Sequence, residues 1–254
     1  MIQIEPVPAF RDNYIWVIRN NQHAVAVDPG DARALEDHLA HSGLKLAAIL
    51  STHHHADHVG GNLALAEKWG CPVHGPATES IPALTHPLSG GERVAIAALG
   101  VEFEVIALPG HTLGHIAFYS PGALFCGDTL FGCGCGRVFE GTMAQMHASL
   151  SRLAGLPQDT RVYCAHEYTL ANIDFALEVE PGNSDLVARY REDETRRRDG
   201  IPTLPSTIAL ELATNPFLRC ESPEVIRSVA RHAGKRCGNA AEVFALLRTW
   251  RNGF

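Results

Sequence analysis

One short segment of the chain concentrates side chains that bind metal ions. The segment THHHADH contains the pattern His-x-His-x-Asp-His. In an extended chain, residues two apart project to the same side, so His53 and His55 can bind one metal ion while His54 points away. A following turn would direct Asp57 and His58 elsewhere, toward a second ion. Imidazole and carboxylate ligands suit zinc, iron or manganese, and the lack of a thiolate in this segment argues against a closed structural zinc site.

Three further candidate ligands lie where a predicted strand ends and a loop begins. They are His111 in GHTLGH, Asp128 in GDT and His166 in AHEY. In α/β architectures, the loops at strand ends gather the groups of an active site. A single histidine in such a place is more often an ordinary packed side chain than a ligand. Together with the first segment, however, these three complete a set of seven potential ligands, which predicts metal-dependent chemistry.

Short runs of strand-forming residues alternate with helical segments over the first two thirds of the chain. Glycine, proline, aspartate or asparagine bounds these runs, as expected for strands joined by turns. The predicted strands are 14–18, 24–27, 46–50, 101–106, 116–119, 123–126 and 161–164, and the predicted helices are 32–41, 62–69 and 143–153. This alternation is typical of an α/β domain.

Near residue 170 the pattern changes to helices with recognisable caps. Ser222 precedes a proline at the first helical position. Asn239 stands three residues before a glutamate, as in a capping pair. We therefore expect a first domain of residues 1–169 followed by a helical domain of residues 170–254.

The composition excludes several classes of protein. The chain has 254 residues, a formal net charge of -7 and 7 cysteines. The acidic balance argues against a nucleic-acid partner, and no apolar run reaches the roughly 20 residues that a transmembrane helix needs. The N-terminus lacks the pattern of a signal or transit peptide, and an odd number of cysteines favours reduced thiols. We expect a cytoplasmic protein without a nucleic-acid or membrane partner.

The ligand segments together resemble the metallo-β-lactamase superfamily, and the set is similar to its glyoxalase II branch, the hydroxyacylglutathione hydrolases. The resemblance extends to PAFRDNY near the N-terminus, to VDPGD and GCGR, and to FALLRTWR near the C-terminus. It implies an α/β (α+β) protein, namely a four-layer αββα metallo-β-lactamase-type sandwich with a small C-terminal α-helical domain. The strands and helices predicted above agree with this fold but do not specify it.

The resemblance also implies the metal ligands and the reaction. One ion would be bound by His53, His55 and His111, the other by Asp57, His58 and His166, with Asp128 bridging both. The ions would be divalent, with zinc expected and iron or manganese also accepted. The implied reaction is hydrolysis of the thioester S-(2-hydroxyacyl)glutathione, typically S-D-lactoylglutathione, to glutathione and D-lactate in methylglyoxal detoxification. Asp57 and Asp128 are the implied catalytic carboxylates, because Asp57 can orient the attacking hydroxide and Asp128 joins the ions.

Four residues match positions where the family contacts glutathione, namely Arg137, Tyr168, Arg248 and Arg251. Arginine can bind a carboxylate through two parallel hydrogen bonds, which suits the carboxylates of glutathione. Phe139 stands where some members have tyrosine, so this chain lacks the hydroxyl of those members. For the two C-terminal arginines, a solvated helix face is an equally good interpretation of their spacing.

Two other functions remain open at this point. A persulfide dioxygenase uses a similar scaffold with a single iron ion, and a non-catalytic metal-binding domain could keep the same fold. Among the remaining chemical groups, Cys133 and Cys135 are interpreted as structural thiols in a glycine-rich loop rather than as a redox or metal site. His115 is expected to support the metal ligands through a hydrogen bond.

Overall fold

The computed structural model describes residues 2–254, and their contacts divide into two compact units. The first unit comprises the chain up to Leu108 together with Leu113–Gly127. The second comprises Pro109–Thr112 and Asp128–Phe254. The domain boundary predicted after residue 169 falls inside the second unit and stays a prediction.

Within residues 2–254, six strands form the first sheet of the first unit, in the order β1 to β6. These strands are β1 (Gln3–Ala9), β2 (Asn13–Arg19), β3 (His23–Val27), β4 (Lys45–Leu50), β5 (Val73–Pro76) and β6 (His86–Leu88). The first three pair in antiparallel fashion, and β3 to β6 are parallel. Because β3 and β4 run in parallel, the residues that follow them emerge at the same edge of the sheet. The amide of Asp28, just after β3, donates to the carbonyl of Leu50 at the end of β4 (2.9 Å).

Helices α1 (Ala32–Ser42), α2 (Ala56–Val59) and α3 (Asn62–Trp69) connect the parallel strands of this sheet. The Asp31 side chain caps α1 by accepting from two backbone amides, and Gly43 ends the helix with φ 68°. On α1 and α3, Leu35, Leu39 and Leu65 are buried in one apolar cluster with residues of the sheet. Burial of each such side chain contributes about 1.5–3 kcal/mol, so this core stabilises the sheet from which the ligand segment emerges.

A second group of strands in the first unit is antiparallel. It contains β7 (Arg93–Ile96), β8 (Val101–Ala107), β9 (Ile116–Ser120) and β10 (Ala123–Gly127). The loop between β8 and β9 contains Gly114 and His115, and the amide of Ile116 donates to the carbonyl of Thr52 (2.9 Å). The end of this loop, at His115 and Ile116, therefore lies beside the histidine segment that follows β4.

The second unit is mainly helical. It contains β11 (Leu130–Phe131), β12 (Gly134–Cys135), α4 (Met143–Ala154), β13 (Arg161–Cys164), α5 (Thr169–Val179), α6 (Ser184–Arg198), β14 (Ser206–Thr207), α7 (Ile208–Thr214), a 3-10 turn (Pro216–Leu218), α8 (Pro223–Ala233) and α9 (Ala240–Gly253). The helical C-terminal region agrees with the prediction. Among the helices of residues 2–254, none combines the length and the apolar composition required to cross a bilayer.

Both predicted helix starts near the C-terminus are present, but only one of the two predicted capping side chains caps its helix. Pro223 begins α8, yet the Ser222 hydroxyl donates to Glu180 Oε1 (2.8 Å) rather than capping the helix. Asn239 does cap α9, since its Oδ1 accepts from the Glu242 amide (2.9 Å). The Glu242 side chain accepts from the Gly238 amide (2.8 Å), so the glutamate reaches one residue further back than in a capping box.

A buried polar network fixes the hairpin formed by β11 and β12. Glu211 accepts hydrogen bonds from the Cys133 amide (2.8 Å) and from Arg189 Nη2 (2.8 Å), and Asn215 Nδ2 donates to the carbonyl of Gly134 (2.9 Å). Glu211 and Arg189 are almost fully buried, so each needs the other as a partner. The network holds Cys133 at φ 55°, which sets the path of the chain toward Arg137.

The thiols of this hairpin have the properties of structural cysteines. Cys133 Sγ donates to the carbonyl of Thr214 (3.3 Å). Burial raises the pKa of both the Cys133 and the Cys135 thiols above the ordinary value. Since the thiolate is the reactive form, neither group fits a nucleophile or a metal ligand.

The pH dependence of stability provides a test of the packing around β5. His74 is buried, its ring centroid lies 4.4 Å from that of His86, and burial together with His86 lowers the pKa of His74 to about 4. In the unfolded chain, a histidine takes up its proton near pH 6.5. Between pH 6.5 and pH 4, the unfolded state therefore binds more protons than the folded state, and the free energy of unfolding falls as the pH falls.

On going from pH 7 to pH 5, we therefore expect the free energy of unfolding to fall by about 1 kcal/mol less in His74→Gln than in the wild-type chain, after allowance for solvent screening. Urea denaturation of the two metal-free proteins measures the difference without a contribution from metal loss. An equal fall in both proteins would contradict the assignment of a neutral, buried His74.

Candidate metal and substrate site

The histidine segment of the first unit follows β4 and brings two candidate ligands together. His53 Nε2 and His55 Nδ1 lie 3.0 Å apart. His53 is fully buried, and its Nδ1 lies 3.0 Å from Thr52 Oγ1. The two imidazoles thus lie beside each other, as predicted for residues two apart in an extended segment.

Asp28, at the end of β3, organises the other half of this segment. Its Oδ1 accepts from the Thr52 amide (2.7 Å), and its Oδ2 accepts from Thr52 Oγ1 (2.7 Å) and faces His58 Nδ1 at 3.1 Å. On its other side, His58 Nε2 lies 3.4 Å from Asp57 Oδ2. In the sequence, Asp28 stands out only as part of the segment VDPGD, although an aspartate directly after an apolar strand is a usable signal.

The Asp57 carboxylate is oriented by the N-terminal segment PAFRDNY. Asn13 Nδ2 donates to Asp57 Oδ2 (3.0 Å). Gly30 passes so close to Asp57 that an added Cβ would lie 1.9 Å from the Asp57 carbonyl oxygen. Only glycine can therefore occupy position 30 without displacing the ligand segment. The segments PAFRDNY and VDPGD, which the resemblance alone linked to the site, therefore both contact Asp57.

The second unit brings together the other three candidate ligands. Asp128 Oδ2 lies 3.4 Å from His111 Nε2, and Asp128 Oδ1 lies 3.4 Å from His166 Nε2. The carboxylate thus presents one oxygen to each imidazole, an arrangement suited to a bridging ligand. His111 Nδ1 lies 2.7 Å from the carbonyl of Arg137, which fixes the ring.

The hydrogen bonds of three histidines indicate which ring nitrogen can bind a metal ion. His53, His58 and His111 each have an oxygen facing Nδ1. Asp28 and the Arg137 carbonyl can only accept, and the Thr52 hydroxyl already donates to Asp28, so each Nδ1 carries the proton. The lone pair of the neutral ring is then on Nε2, which is the usual arrangement for metal-binding histidines. This set of nitrogen and carboxylate donors fits divalent metal ions.

A cavity of about 270 Å³ in the second unit contains both candidate metal ligands and candidate substrate contacts. Its lining includes His111, Asp128, Phe131, Cys135, Arg137, Phe139, Tyr168, Asn172, Arg248 and Arg251. All four residues predicted to contact glutathione are therefore gathered at one cavity. Phe139, which is 60% exposed, presents an apolar ring there and no hydroxyl.

Arg248 does not lie on a solvated helix face. It is 6% exposed, its Nη1 donates to the carbonyl of Cys135 (2.7 Å), and its guanidinium lies 5.2 Å from the centre of the Phe217 ring. Its Nε is buried and makes no hydrogen bond within residues 2–254. A buried N–H without an acceptor is costly, so this group is suited to an anionic ligand that enters the cavity.

The arginines give the cavity a local positive charge in an acidic protein. Burial, and the neighbouring Arg248 and Arg137 guanidinium groups, lower the pKa of Arg251 below its ordinary value. Arg251 Nη2 contacts Asn172 Oδ1 (3.4 Å), which is a neutral partner. Mutual repulsion among these cations favours the binding of carboxylates.

Comparison with known proteins agrees with this geometry. Residues 9–166 match the metallo-beta-lactamase superfamily, and residues 167–254 match the family described as hydroxyacylglutathione hydrolase C-terminus. A hydroxyacylglutathione hydrolase of Nitrosomonas eutropha is 52% identical over 254 residues and one of Pseudomonas aeruginosa (strain LESB58) is 54% identical over 261 residues, with both chains covered completely in each comparison.

Solved structures show the same fold. The structure titled TTHA1623 in a di-iron-bound form has a TM-score of 0.61 and 29% identity, and the match covers 84% of this chain and 100% of that one. ETHE1 from Myxococcus xanthus has a TM-score of 0.65 and 23% identity, covering 99% and 98%, and is a likeness of fold alone. The predicted metallo-β-lactamase-type fold class is confirmed.

The role of Asp28 can be tested by measuring metal affinity. We expect Asp28→Asn to weaken the binding of zinc by about 10- to 100-fold, because the amide cannot accept from Thr52 and His58 in the same way. Competition with a chromophoric chelator measures the affinity. Asp37→Asn on the exposed face of α1 is the matched control and should bind zinc as the wild-type chain does. Equal affinity in all three proteins would refute the role assigned to Asp28.

Proposed function

The chain belongs to the hydroxyacylglutathione hydrolase family of the metallo-beta-lactamase superfamily, and we propose on this premise that it hydrolyses S-(2-hydroxyacyl)glutathione with two divalent metal ions. The typical substrate is S-D-lactoylglutathione, and the products are glutathione and D-lactate in methylglyoxal detoxification. The observation that carries the proposal is the single cavity lined both by His111 and Asp128 and by the arginines that suit a carboxylate ligand.

The proposed ligand set follows the pattern of the family. One ion would be held by His53, His55 and His111, and the other by Asp57, His58 and His166, with Asp128 between them. Zinc is the proposed metal, and iron or manganese would be accepted by the same donors. The proposal is supported by the ring protons placed on Nδ1 and by the two oxygens of Asp128 that face different imidazoles.

In the proposed reaction, the chain's own groups orient the reactants. When bound, the ions would polarise the thioester carbonyl and lower the pKa of a water molecule. Asp57, held by Asn13, would direct the attacking water toward the carbonyl carbon. The water oxygen remains on the acyl carbon, the carbon–sulphur bond breaks, and sulphur leaves with a proton as the thiol of glutathione.

Substrate recognition would come from the arginine cluster. Arg137, Arg248 and Arg251 would bind the carboxylates of the glutathione moiety through charge-assisted hydrogen bonds. Tyr168, whose ring stacks on His166 with centroids 4.6 Å apart, would contact the same moiety beside the metal ligands. Because Phe139 has no hydroxyl, binding would depend more heavily on the arginines than in relatives with tyrosine there.

The domain division and the cellular setting are part of the same proposal. Residues 1–169 would carry out catalysis, and residues 170–254 would contribute substrate contacts. The protein would be a cytoplasmic monomer with a small-molecule substrate and without a nucleic-acid or membrane partner. The 7 cysteines are free thiols, and free thiols are typical of a reducing compartment.

The hydrolase function is tested directly by its substrate and metal dependence. We expect the zinc-loaded protein to release glutathione from S-D-lactoylglutathione, and Asp128→Asn to lower kcat/KM by at least about 100-fold because one ligand oxygen is lost. Removal of metal with a chelator should abolish turnover, and added zinc should restore it.

The two alternative functions give different results in the same assay. A persulfide dioxygenase would consume oxygen on a glutathione persulfide with one iron per chain, and a non-catalytic domain would bind metal without turnover. Neither is favoured, because full-length relatives at 50–54% identity carry the name hydroxyacylglutathione hydrolase. Oxygen uptake without thioester cleavage would overturn the proposal.

The arginine cluster is tested by separating KM from kcat. Arg251→Ala should raise KM for S-D-lactoylglutathione by about 10- to 100-fold, as expected when a charge-assisted hydrogen bond is lost, with kcat changed less than about threefold. Arg251 is a cleaner target than Arg248, which also donates to a backbone carbonyl. Arg227→Ala on the exposed side of α8 is the matched control. An unchanged KM in Arg251→Ala would remove this arginine from the substrate site.

A further inference from the structure

A buried carboxylate outside the proposed ligand set connects two loops of the first unit. Glu79 lies between β5 and β6, and its side chain is only 4% exposed. Its Oε2 accepts from the His54 amide (2.7 Å) and lies 2.9 Å from His54 Nδ1, and its Oε1 accepts from the Gly114 amide (2.8 Å). One side chain therefore holds the segment after β4 and the loop between β8 and β9.

Both anchored residues are adjacent in the chain to histidines at the candidate site. His54 stands between His53 and His55, and Glu79 fixes both its backbone amide and its ring. Gly114 precedes His115, whose ring stacks on that of His53 with centroids 4.8 Å apart and an interplanar angle of 21°. The Glu79 carboxylate thus restrains the chain on both sides of the buried His53 ring.

The glycine at position 114 is an independent indication that this contact is built into the sequence. An added Cβ there would lie 2.7 Å from Glu79 Cγ and 2.9 Å from Glu79 Oε1, and 2.5 Å from Thr78 Oγ1. Thr78 is exposed and its hydroxyl can rotate away, whereas the Glu79 side chain is held by its hydrogen bonds. Space for the Glu79 carboxylate therefore explains the second glycine of GHTLGH.

We propose that Glu79 is a positioning residue for the metal centre, acting through His54 and Gly114. Its carboxylate holds the two loops so that His53 Nε2 and His55 Nδ1 keep the 3.0 Å separation at which both nitrogens could bind one ion. The inference rests on the proposed metal site, and it gives His54, which is outside the ligand set, a defined role as the donor to Glu79.

The test compares Glu79→Gln with Glu67→Gln, an exposed glutamate on α3 that serves as the matched control. The glutamine amide has a single oxygen and cannot accept from both loops. We expect zinc release to a chelator to be about 10- to 100-fold faster in Glu79→Gln, while the urea midpoint of the metal-free protein stays near that of the wild type. The visible spectrum of the cobalt-substituted protein should also change. Zinc release from Glu79→Gln at the wild-type rate would overturn the proposal. A lower urea midpoint of the metal-free variant without faster zinc release would also overturn it.

A double-mutant cycle with Gly114→Ala tests the path through Glu79. The single Gly114→Ala variant should accelerate zinc release, and the same substitution in a Glu79→Ala background should add little, because the obstructing carboxylate is gone. Additive effects would overturn the proposal. If Glu79→Ala does not fold, Glu79→Gln, which keeps the side-chain volume, decides the question.

Zinc release is measured without substrate, so the result is separate from the proposed activity. A protein that binds zinc tightly but does not cleave S-D-lactoylglutathione would refute the hydrolase function and leave the role of Glu79 intact. An active hydrolase whose Glu79→Gln variant keeps the wild-type release rate would refute the role of Glu79 alone.

Discussion

A neutral imidazole carries one proton, and the oxygen that faces Nδ1 decides which nitrogen remains available to a metal ion. In this protein Asp28 accepts the Nδ1 proton of His58, and it orients the Thr52 hydroxyl that accepts the Nδ1 proton of His53. The Arg137 carbonyl accepts the Nδ1 proton of His111. These acceptors lie at strand ends or in loops anchored by buried networks. The first sheet and strands β7 to β10 of the first unit, and the hairpin network of the second unit, are the support that these few oxygens require.

The candidate ligands were predictable because residue type and spacing carry the information locally. His53 and His55 alternate along an extended segment, and the strands before the ligand loops follow from runs of apolar residues with turn residues at their ends. The groups that orient the ligands were not predictable in this way. Asn13 meets Asp57, and Glu79 meets His54, across long separations in the chain that only the folded sheet brings together.

The C-terminal arginines show a second limit of sequence reasoning. Arg248 and Arg251 are three residues apart on α9, a spacing equally compatible with a solvated face and with a binding surface. Burial decides between them for Arg248, and burial depends on the packing of the 3-10 turn and the hairpin against this helix rather than on α9 itself. The cap at Asn239 was predicted correctly, since Asn239 and its partner are near neighbours in the chain, whereas Ser222 bonds to the distant Glu180 instead of capping α8.

The buried thiol of Cys135 affects which reactions a sulphur compound in the cavity can undergo. If a thiol product forms in the cavity, Cys135, which lines the same cavity, would meet it at every turnover. The thioester that releases this thiol would lie in the same cavity, and a Cys135 thiolate could attack its acyl carbon and displace the thiol. Burial raises the pKa of Cys135, so the side chain remains protonated and does not attack. The cavity can therefore hold a thioester beside the protein's own sulphur without transfer of the acyl group to Cys135.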